Sequence, residues 1–505
     1  MKKLWKTLFA ALLVLPLFTG VLSAKAVTAD KATTTNVTIN KRIWKDGEAP
    51  AQGSIQNTGE EMDFGGDPLE GAGFTAYDVT DAYLALIADG KSQAEATKEI
   101  ADNALVYTTV ANVAKTEQKT DANGQTTFEG LALKDGDKDK VYMFVETSTP
   151  GNVSVTTKAA PIVLAMPIYT FKEGKYADTI NTNIQVYPKN ETKTDKKEVV
   201  DLDKMTVVAD NGEKYYNITT GDVLNFKLTL NIPADIAEVK SYSVTDTPSE
   251  GLAYVDGTVK VAGLTEGTDY TVTKVGNGFK IDLINSGTAE KPVYTPAVLE
   301  LAGKSLEVTY SMKLTATINP DRLQNNEAVV NIGGENQPSL KPKDPDGEIK
   351  FGTGGYKFVK KDSQSDANLA GAEFVVKQNG KYAEFAKNEA GEYVFTQWAD
   401  SKTAATTVTS DKDGKFFVKG LKDGTYQLEE TKTPSDKYVL LDKDINFKVV
   451  HGQYGEQKLE TVKNTPKGLL PSTGGNGIYA FLLIGAALMI GAYAWFKKSK
   501  TQAEV

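Results

Sequence analysis

The chain has no cysteine and a single histidine, His451. Disulfides, thiolate zinc sites, Cys/His nucleophilic pairs and multi-histidine metal centres all need residues that the sequence lacks. A Ser-His-Asp triad would have to recruit His451, which stands in a polar, turn-like His451-Gly452-Gln453 context. No metal site and no cofactor are expected, and the chain does not read as an enzyme. Asp411-Lys412-Asp413-Gly414 invites a calcium reading. It is too short for an EF-hand loop, and no Glu closes it twelve residues from Asp411. A hairpin turn is the better interpretation. What remains is the chemistry of lysine amines, carboxyls and carboxamides. An exposed lysine has a pKa of about 10.4 and attacks a carbonyl only when neutral, so lysine chemistry requires a special environment.

The elements that would position such groups begin with the two ends. Residues 1–26 open with Lys2, Lys3 and Lys6, run apolar over 8–22 and finish with Ala24-Lys25-Ala26. That is the three-part pattern of a secretory signal peptide, removed after export. Residues 478–496 form an uncharged stretch followed by Lys497, Lys498 and Lys500, which predicts a transmembrane segment with a cytoplasmic basic tail. Everything between is expected outside the cell. Leu470-Pro471-Ser472-Thr473-Gly474 stands just before the apolar stretch. The net charge is 57 − 66 = −9, which leaves no basic footprint for nucleic acid.

Between the ends the chain repeats itself. Leu69-Glu70-Gly71-Ala72-Gly73-Phe74 matches Leu369-Ala370-Gly371-Ala372-Glu373-Phe374. Asp121-Ala122-Asn123-Gly124 matches Asp411-Lys412-Asp413-Gly414, each followed by a Phe and a Gly-Leu pair. Tyr142-Met143-Phe144-Val145-Glu146-Thr147 with Pro150 matches Tyr426-Gln427-Leu428-Glu429-Glu430-Thr431 with Pro434. Three blocks in the same order imply two copies of one domain, over roughly 31–190 and 350–466. Short alternating runs at 416–419, 426–430 and 445–450, set off by Asn-Gly and Asp-Gly turns, predict antiparallel β structure. The first copy is longer, and residues 81–105 read as an inserted helical region. Residues 191–345 do not share the repeat, but alternation at 223–230, 242–245, 270–274 and 306–313 predicts a second kind of β-sandwich. Residues 336–355, rich in Pro, Lys, Asp and Gly, read as a linker.

These motifs together carry a family resemblance. The Leu-Pro-x-Thr-Gly pentapeptide, apolar stretch and basic tail resemble the cell-wall sorting signal of Gram-positive surface proteins. The repeated block resembles the B-type domain of the collagen-adhesin family, with its Tyr-x-Leu-x-Glu-Thr-x-x-Pro E-box. The middle segment resembles the A-type domain through Gly221-Asp222-Val223, Thr245-Asp246-Thr247 and Asn326-x-Ala328. Val186-Tyr187-Pro188-Lys189-Asn190 resembles the pilin motif of sortase-assembled, SpaA-type shaft pilins. Ile180 and Ile184 stand where some members have Trp and Val.

The resemblance implies an all-β chain of tandem immunoglobulin-like β-sandwiches, B-type, A-type and B-type. The expected divisions are a signal peptide at 1–26, domains at 27–190, 191–345 and 346–466, and the sorting signal and tail at 467–505. It implies the major structural subunit of a covalent pilus anchored to the wall, or alternatively a wall-anchored monomeric adhesin or a minor tip or base pilin. A pilin-polymerising sortase would cut between Thr473 and Gly474 and pass the Thr473 carboxyl to Lys189 of the next subunit. The implied partners are that sortase, a housekeeping sortase, other copies of the chain, minor pilins, peptidoglycan and a host surface ligand. The family also forms self-generated Lys–Asn isopeptide bonds promoted by a buried acid. The implied trios are Lys41, Glu146 and Asn190 in the first domain, Lys196, Asp246 and Asn326 in the middle one, and Lys360, Glu430 and Asn464 in the last. Asn183, Lys197, Asp222, Lys361 and Glu429 compete for these roles. A one-residue slip of register turns each lysine to the other face.

Overall fold

The computed structural model describes residues 32–51, 55, 57–151, 153–210, 213–468 and 477–501. The signal peptide expected at 1–26 and the pentapeptide at 470–474 lie outside the described residues. The chain falls into two compact units. One extends to Gly354 and includes Gly420–Asp423 and Val450–Gln453, and the other holds the remainder from Gly355 onward. Both are mostly β structure, as the alternating sequence predicts.

In the first part of the first unit, Thr34–Asn40 alternates so that Val37 and Ile39 enter the core. This opening strand pairs in parallel with Asn183–Val186, and the next, Arg42–Lys45, pairs in parallel with Lys189–Thr192. The beginning and end of this region are therefore neighbours, with Lys41 at the junction of the two opening strands. A second sheet of Ile162–Ala165, Val141–Ser148, Gly73–Asp78 and Asn112–Lys119 faces them. Phe74, Phe128 and Phe144 fill the space between. The inserted region forms the helices Thr80–Ala88, Gln93–Asp102 and Ala104–Val110. Ser92 starts the second through a capping box. Its hydroxyl accepts from Glu95 N, and the Glu95 carboxylate accepts from Ser92 N, which satisfies two otherwise orphaned donors. Tyr83, Ala96 and Ile100 then pack on Val141, Met143 and Val163.

Farther along the same unit, Lys196–Val199, Val223–Asn231, Ser305–Leu314 and Leu252–Tyr254 form one sheet. Tyr270–Val275, Gly278–Leu283, Tyr242–Pro248 and Asn326–Ile332 form the facing one. Alternation along Val223–Asn231 and Ser305–Leu314 sends Leu224, Phe226, Leu228, Val308, Tyr310 and Met312 inward. The stretch 336–355 is not a plain linker. Ile349 and Phe351 are buried in this same core, and Phe351 pairs with Tyr216. Its Pro, Lys and Gly residues mask two apolar anchors.

The second unit is a continuous sheet whose path runs Ile445–Val449, Gly424–Lys432, Glu373–Gln378, Lys381–Lys387, Tyr393–Ala399, Lys415–Leu421, Gly354–Asp362, Glu460–Asn464. Here too the opening and closing strands pair in parallel, Lys360 opposite Val462 and Asp362 opposite Asn464. Near the end, the Gly477–Thr501 helix exposes Phe481, Leu483, Leu488 and Trp495. Among the described residues, no helix is long and apolar enough to cross a membrane. The transmembrane segment expected over 478–496 is therefore not supported.

Candidate functional site: three buried lysine–acid–carboxamide clusters

The repeated motifs converge on the backbone of one lysine in each copy. In the first, Lys41 N donates to Gly124 O at 2.7 Å, and Lys41 O accepts from Leu69 N at 3.2 Å. In the second, Lys360 N donates to Gly414 O at 2.7 Å, and Lys360 O accepts from Leu369 N at 2.8 Å. The turns that supply these carbonyls are held by their own aspartates. Asp121 Oδ1 accepts from Asn123 N and Gln125 N, and Asp411 Oδ1 from Asp413 N and Lys415 N. The Asp411 carboxylate thus serves a hairpin turn. Gly124 and Gly414 both have φ +73°, and a Cβ on either would lie 2.5 or 2.6 Å from the lysine carbonyl. Only glycine fits both the backbone angle and the approach.

The side chains meet in the core. Lys41 is fully buried, and its Nζ donates to Asn190 Oδ1 at 2.6 Å and to Glu146 Oε2 at 3.2 Å. Asn190 Nδ2 donates to Glu146 Oε1 at 2.7 Å, and Ala159 N anchors the other oxygen. Burial pushes the Lys41 amine down to about 8, against the opposing pull of Glu146. A neutral amine is thereby brought within reach of physiological pH.

The second unit repeats the arrangement. Lys360 Nζ stands 2.9 Å from Glu430 Oε1, without hydrogen-bond alignment, and neither atom has a hydrogen-bond partner among the described residues. Asn464 Nδ2 donates to Glu430 Oε2 at 2.9 Å and to Val439 O at 2.8 Å. Leu441 N anchors Glu430 as Ala159 N anchors Glu146. Burial lowers the Lys360 amine as well. The register is the same in both copies. Asn190 lies opposite Ile43, two residues beyond Lys41, and Asn464 lies opposite Asp362, two beyond Lys360. On parallel strands that offset puts both side chains on one face.

The middle cluster differs, and it corrects the choice of lysine. Along Lys196–Val199 the pattern runs exposed, buried, exposed, buried, so Lys196 points to solvent and Lys197 enters the core. Lys197 Nζ donates to Asp246 Oδ2 at 2.6 Å, with both side chains fully buried. Burial lowers the Lys197 amine and raises the Asp246 carboxyl. Asn326 completes the group, and its Nδ2 donates to the Tyr310 hydroxyl at 3.3 Å. That hydroxyl donates to Asp246 Oδ2 at 2.5 Å. Sequence reasoning missed Tyr310; its inward place in the alternating run 306–313 was the available signal.

The other competitors lie outside the clusters. Lys361 pairs with Asp366 and Glu429 with Lys377 and Lys402. Asp222 caps a turn at Thr219 N, and Asn183 is exposed beside Asn36. Lys189 occupies the face opposite Asn190, as strand alternation requires, yet it is not an open side chain. Its Nζ donates to Pro50 O at 2.5 Å, with Glu191 3.9 Å away. Trp44, Phe64 and Tyr187 pack together and draw the segment around residues 57–66 across this face. Among the described residues no group of His, Cys, Asp and Glu could hold a metal ion.

Comparison with known proteins gives these clusters a context. Residues 32–191 match the Gram-positive pilin subunit D1, N-terminal domain; residues 354–465 match the SpaA prealbumin-like fold domain; residues 462–503 match the LPXTG cell wall anchor motif. A fimbrial subunit type 2 from Actinomyces naeslundii is 27% identical over 511 residues, covering 90% of this chain and 87% of that protein. The trypsin-resistant surface T6 protein of Streptococcus pyogenes is 29% identical over 349 residues, covering 54% of this chain and 63% of that protein. The full-length RrgB pilus protein of Streptococcus pneumoniae shares the fold, with a TM-score of 0.51 and 18% identity over 88% of this chain and all of that one.

Proposed function

We propose that the chain, whose segments match Gram-positive pilin and cell wall anchor models and which resembles a fimbrial subunit over most of its length, is a cell-wall-anchored structural subunit that builds the shaft of an extracellular pilus. Polymerisation joins the Thr473 carboxyl of one subunit, held by a sortase, to the Lys189 amine of the next. Within each subunit the three clusters close into Lys41–Asn190, Lys197–Asn326 and Lys360–Asn464 amides. The domains then divide at 27–190, 191–345 and 346–466, with 467–505 as the sorting region.

The observation that carries this reading is the pair of adjacent residues 189 and 190. Asn190 is fully buried against Lys41 and Glu146, while Lys189 takes the opposite face of the same closing strand. A single strand end thus serves an internal tie and an external acceptor. Within a cluster, the buried acid in its protonated form polarises the carboxamide, and the neutral amine attacks with loss of ammonia. Replacing Lys189 by Ala or Arg tests the polymer. The SDS-resistant ladder of wall extracts should disappear while wall-attached monomer remains, because the sorting pentapeptide is untouched. A normal ladder from Lys189→Ala would move the linkage to another lysine. A wild-type strain with intact sortases and no ladder would make the chain an anchored monomer.

A further inference from the structure

The three clusters do not handle the leaving nitrogen in the same way. In the first and last, a glutamate oxygen lies 2.7 or 2.9 Å from the asparagine Nδ2. In the middle one the acid is an aspartate, one methylene shorter, and the Asn326 Nδ2 hydrogen bond goes instead to Tyr310 at 3.3 Å. Topology explains the substitution. Asp246 and Asn326 lie on paired antiparallel strands of one sheet, with Asp246 opposite Ala328 and Pro248 opposite Asn326. Lys197 comes from the facing sheet, and so does Tyr310, two strands away through Val223–Asn231. The tyrosine hydroxyl stands between the acid and the amide, wholly enclosed.

We propose that Tyr310 is a catalytic residue of the middle cluster, relaying a proton from Asp246 to the departing nitrogen of Asn326. This rests on the Lys197–Asn326 bond put forward above. Neutral Lys197 carries two N–H hydrogens into the reaction. Its Nζ forms a bond to Asn326 Cγ, and the Cγ–Nδ2 bond breaks with its electron pair remaining on nitrogen. One hydrogen stays on the new amide and the other must reach Nδ2 so that ammonia can leave. Asp246 takes that proton from Nζ at 2.6 Å. In the resting cluster the Tyr310 hydroxyl accepts from Nδ2 across 3.3 Å and donates to Asp246 across 2.5 Å; once the attack gives Nδ2 a lone pair, the hydroxyl turns to give its hydrogen to Nδ2 and takes one from Asp246. Asp246 and Tyr310 end as they began, and no oxidant or reductant takes part.

The test follows bond formation in freshly synthesised full-length chain, quenched at intervals and read as loss of ammonia and as the Lys197–Asn326 cross-linked peptide. Tyr310→Phe keeps the ring, which stacks on Phe226, and removes only the hydroxyl. The middle bond should form on the order of 10²-fold more slowly, while the Lys41 and Lys360 bonds form on schedule. In a second version, Tyr310 alone is replaced by a fluorinated tyrosine of similar shape and more acidic hydroxyl. The middle rate should shift with phenol acidity, which a packing role would not produce. Wild-type rates in Tyr310→Phe, or an unchanged rate in the fluorinated chain, would overturn the relay. A wild-type chain without the Lys197–Asn326 peptide would overturn the bond itself, and the relay with it. If Tyr310→Phe fails to fold, the fluorinated chain decides.

Discussion

A lysine attacks a carbonyl only as the neutral amine, and the Lys41 amine loses its proton at about 8. Formation of the Lys41–Asn190 bond should therefore rise roughly tenfold per pH unit up to about 7.5 and level off beyond 8. A rate that is flat from about pH 6 to 9 would show that amine deprotonation does not limit the reaction. The other requirement is the carboxyl that holds the carboxamide. The same logic predicts that Glu430→Ala retains one ammonia in the intact mass and leaves the last domain easier to unfold. Glu429→Ala should form all its bonds, since Glu429 faces Lys377 and Lys402 instead. A further titration lies at Asp195, whose carboxyl burial pushes up to about 6 despite two hydrogen bonds from Asn231. A raised acid binds its proton better in the folded state, so stability should fall as pH rises from about 4 to 6. Asp195→Asn should flatten that slope in denaturant titrations. The two glutamates were legible in the sequence because the E-box fixes the position before Thr147 or Thr431. The middle lysine was not, because Lys196 and Lys197 differ only by which face of a strand they take.

Elements deliver these residues through turns more than through strands. Gly124 and Gly414 let a hairpin carbonyl clasp the reactive lysine at a distance no Cβ would tolerate. Gly414→Ala must relieve a 2.6 Å contact with Lys360 O as well as a φ of +73°, a strain on the order of 1–3 kcal/mol. It should lower the stability of the last domain by about that much and delay its cross-link by shifting Lys360. Gly391→Ala makes a good control: its φ is +80° but nothing lies within 4 Å of the added carbon, so it should lose only about 1 kcal/mol and keep its bond-forming rate. A Gly414→Ala chain that cross-links on time would show that the turn does not set the lysine's position. The repeat that exposes these turns was readable because turn chemistry is local and tied to residue type. At 336–355 the turn-forming residues hide Ile349 and Phe351, which join a core built largely by strands far away in sequence, Phe351 pairing with Tyr216.

At the scale of the whole molecule, the ties decide which parts of the chain feel tension. If subunits join at Lys189 and Thr473, the pull on each enters at residue 189 and leaves near 473. Residues before 189 lie off that path, so the Lys41–Asn190 bond stiffens a domain that the chain itself does not load. Beyond it, a Lys197–Asn326 bond bypasses the 326 − 197 = 129 residue steps between its ends, and a Lys360–Asn464 bond bypasses 464 − 360 = 104. Each closure also constrains the unfolded chain as a disulfide would, by about 5 kcal/mol for loops of this length, without a bond that can be reduced. The absence of cysteine makes the path measurable. Cysteines placed at 189 and 467 would be the only thiols in the chain and would accept handles for single-molecule stretching. The cross-linked protein should show no long unfolding step between them. Asn464→Ala should release roughly 350 Å of contour length in the last domain, at about 3.4 Å per residue, and Asn326→Ala correspondingly more in the middle one. Asn190→Ala should release none, because the loaded chain runs directly from 189 to 190 and the rest of that loop lies off the path. A full-length step from the cross-linked protein would mean that the bonds do not carry the load, and a long step from Asn190→Ala would place the first domain in the path of force.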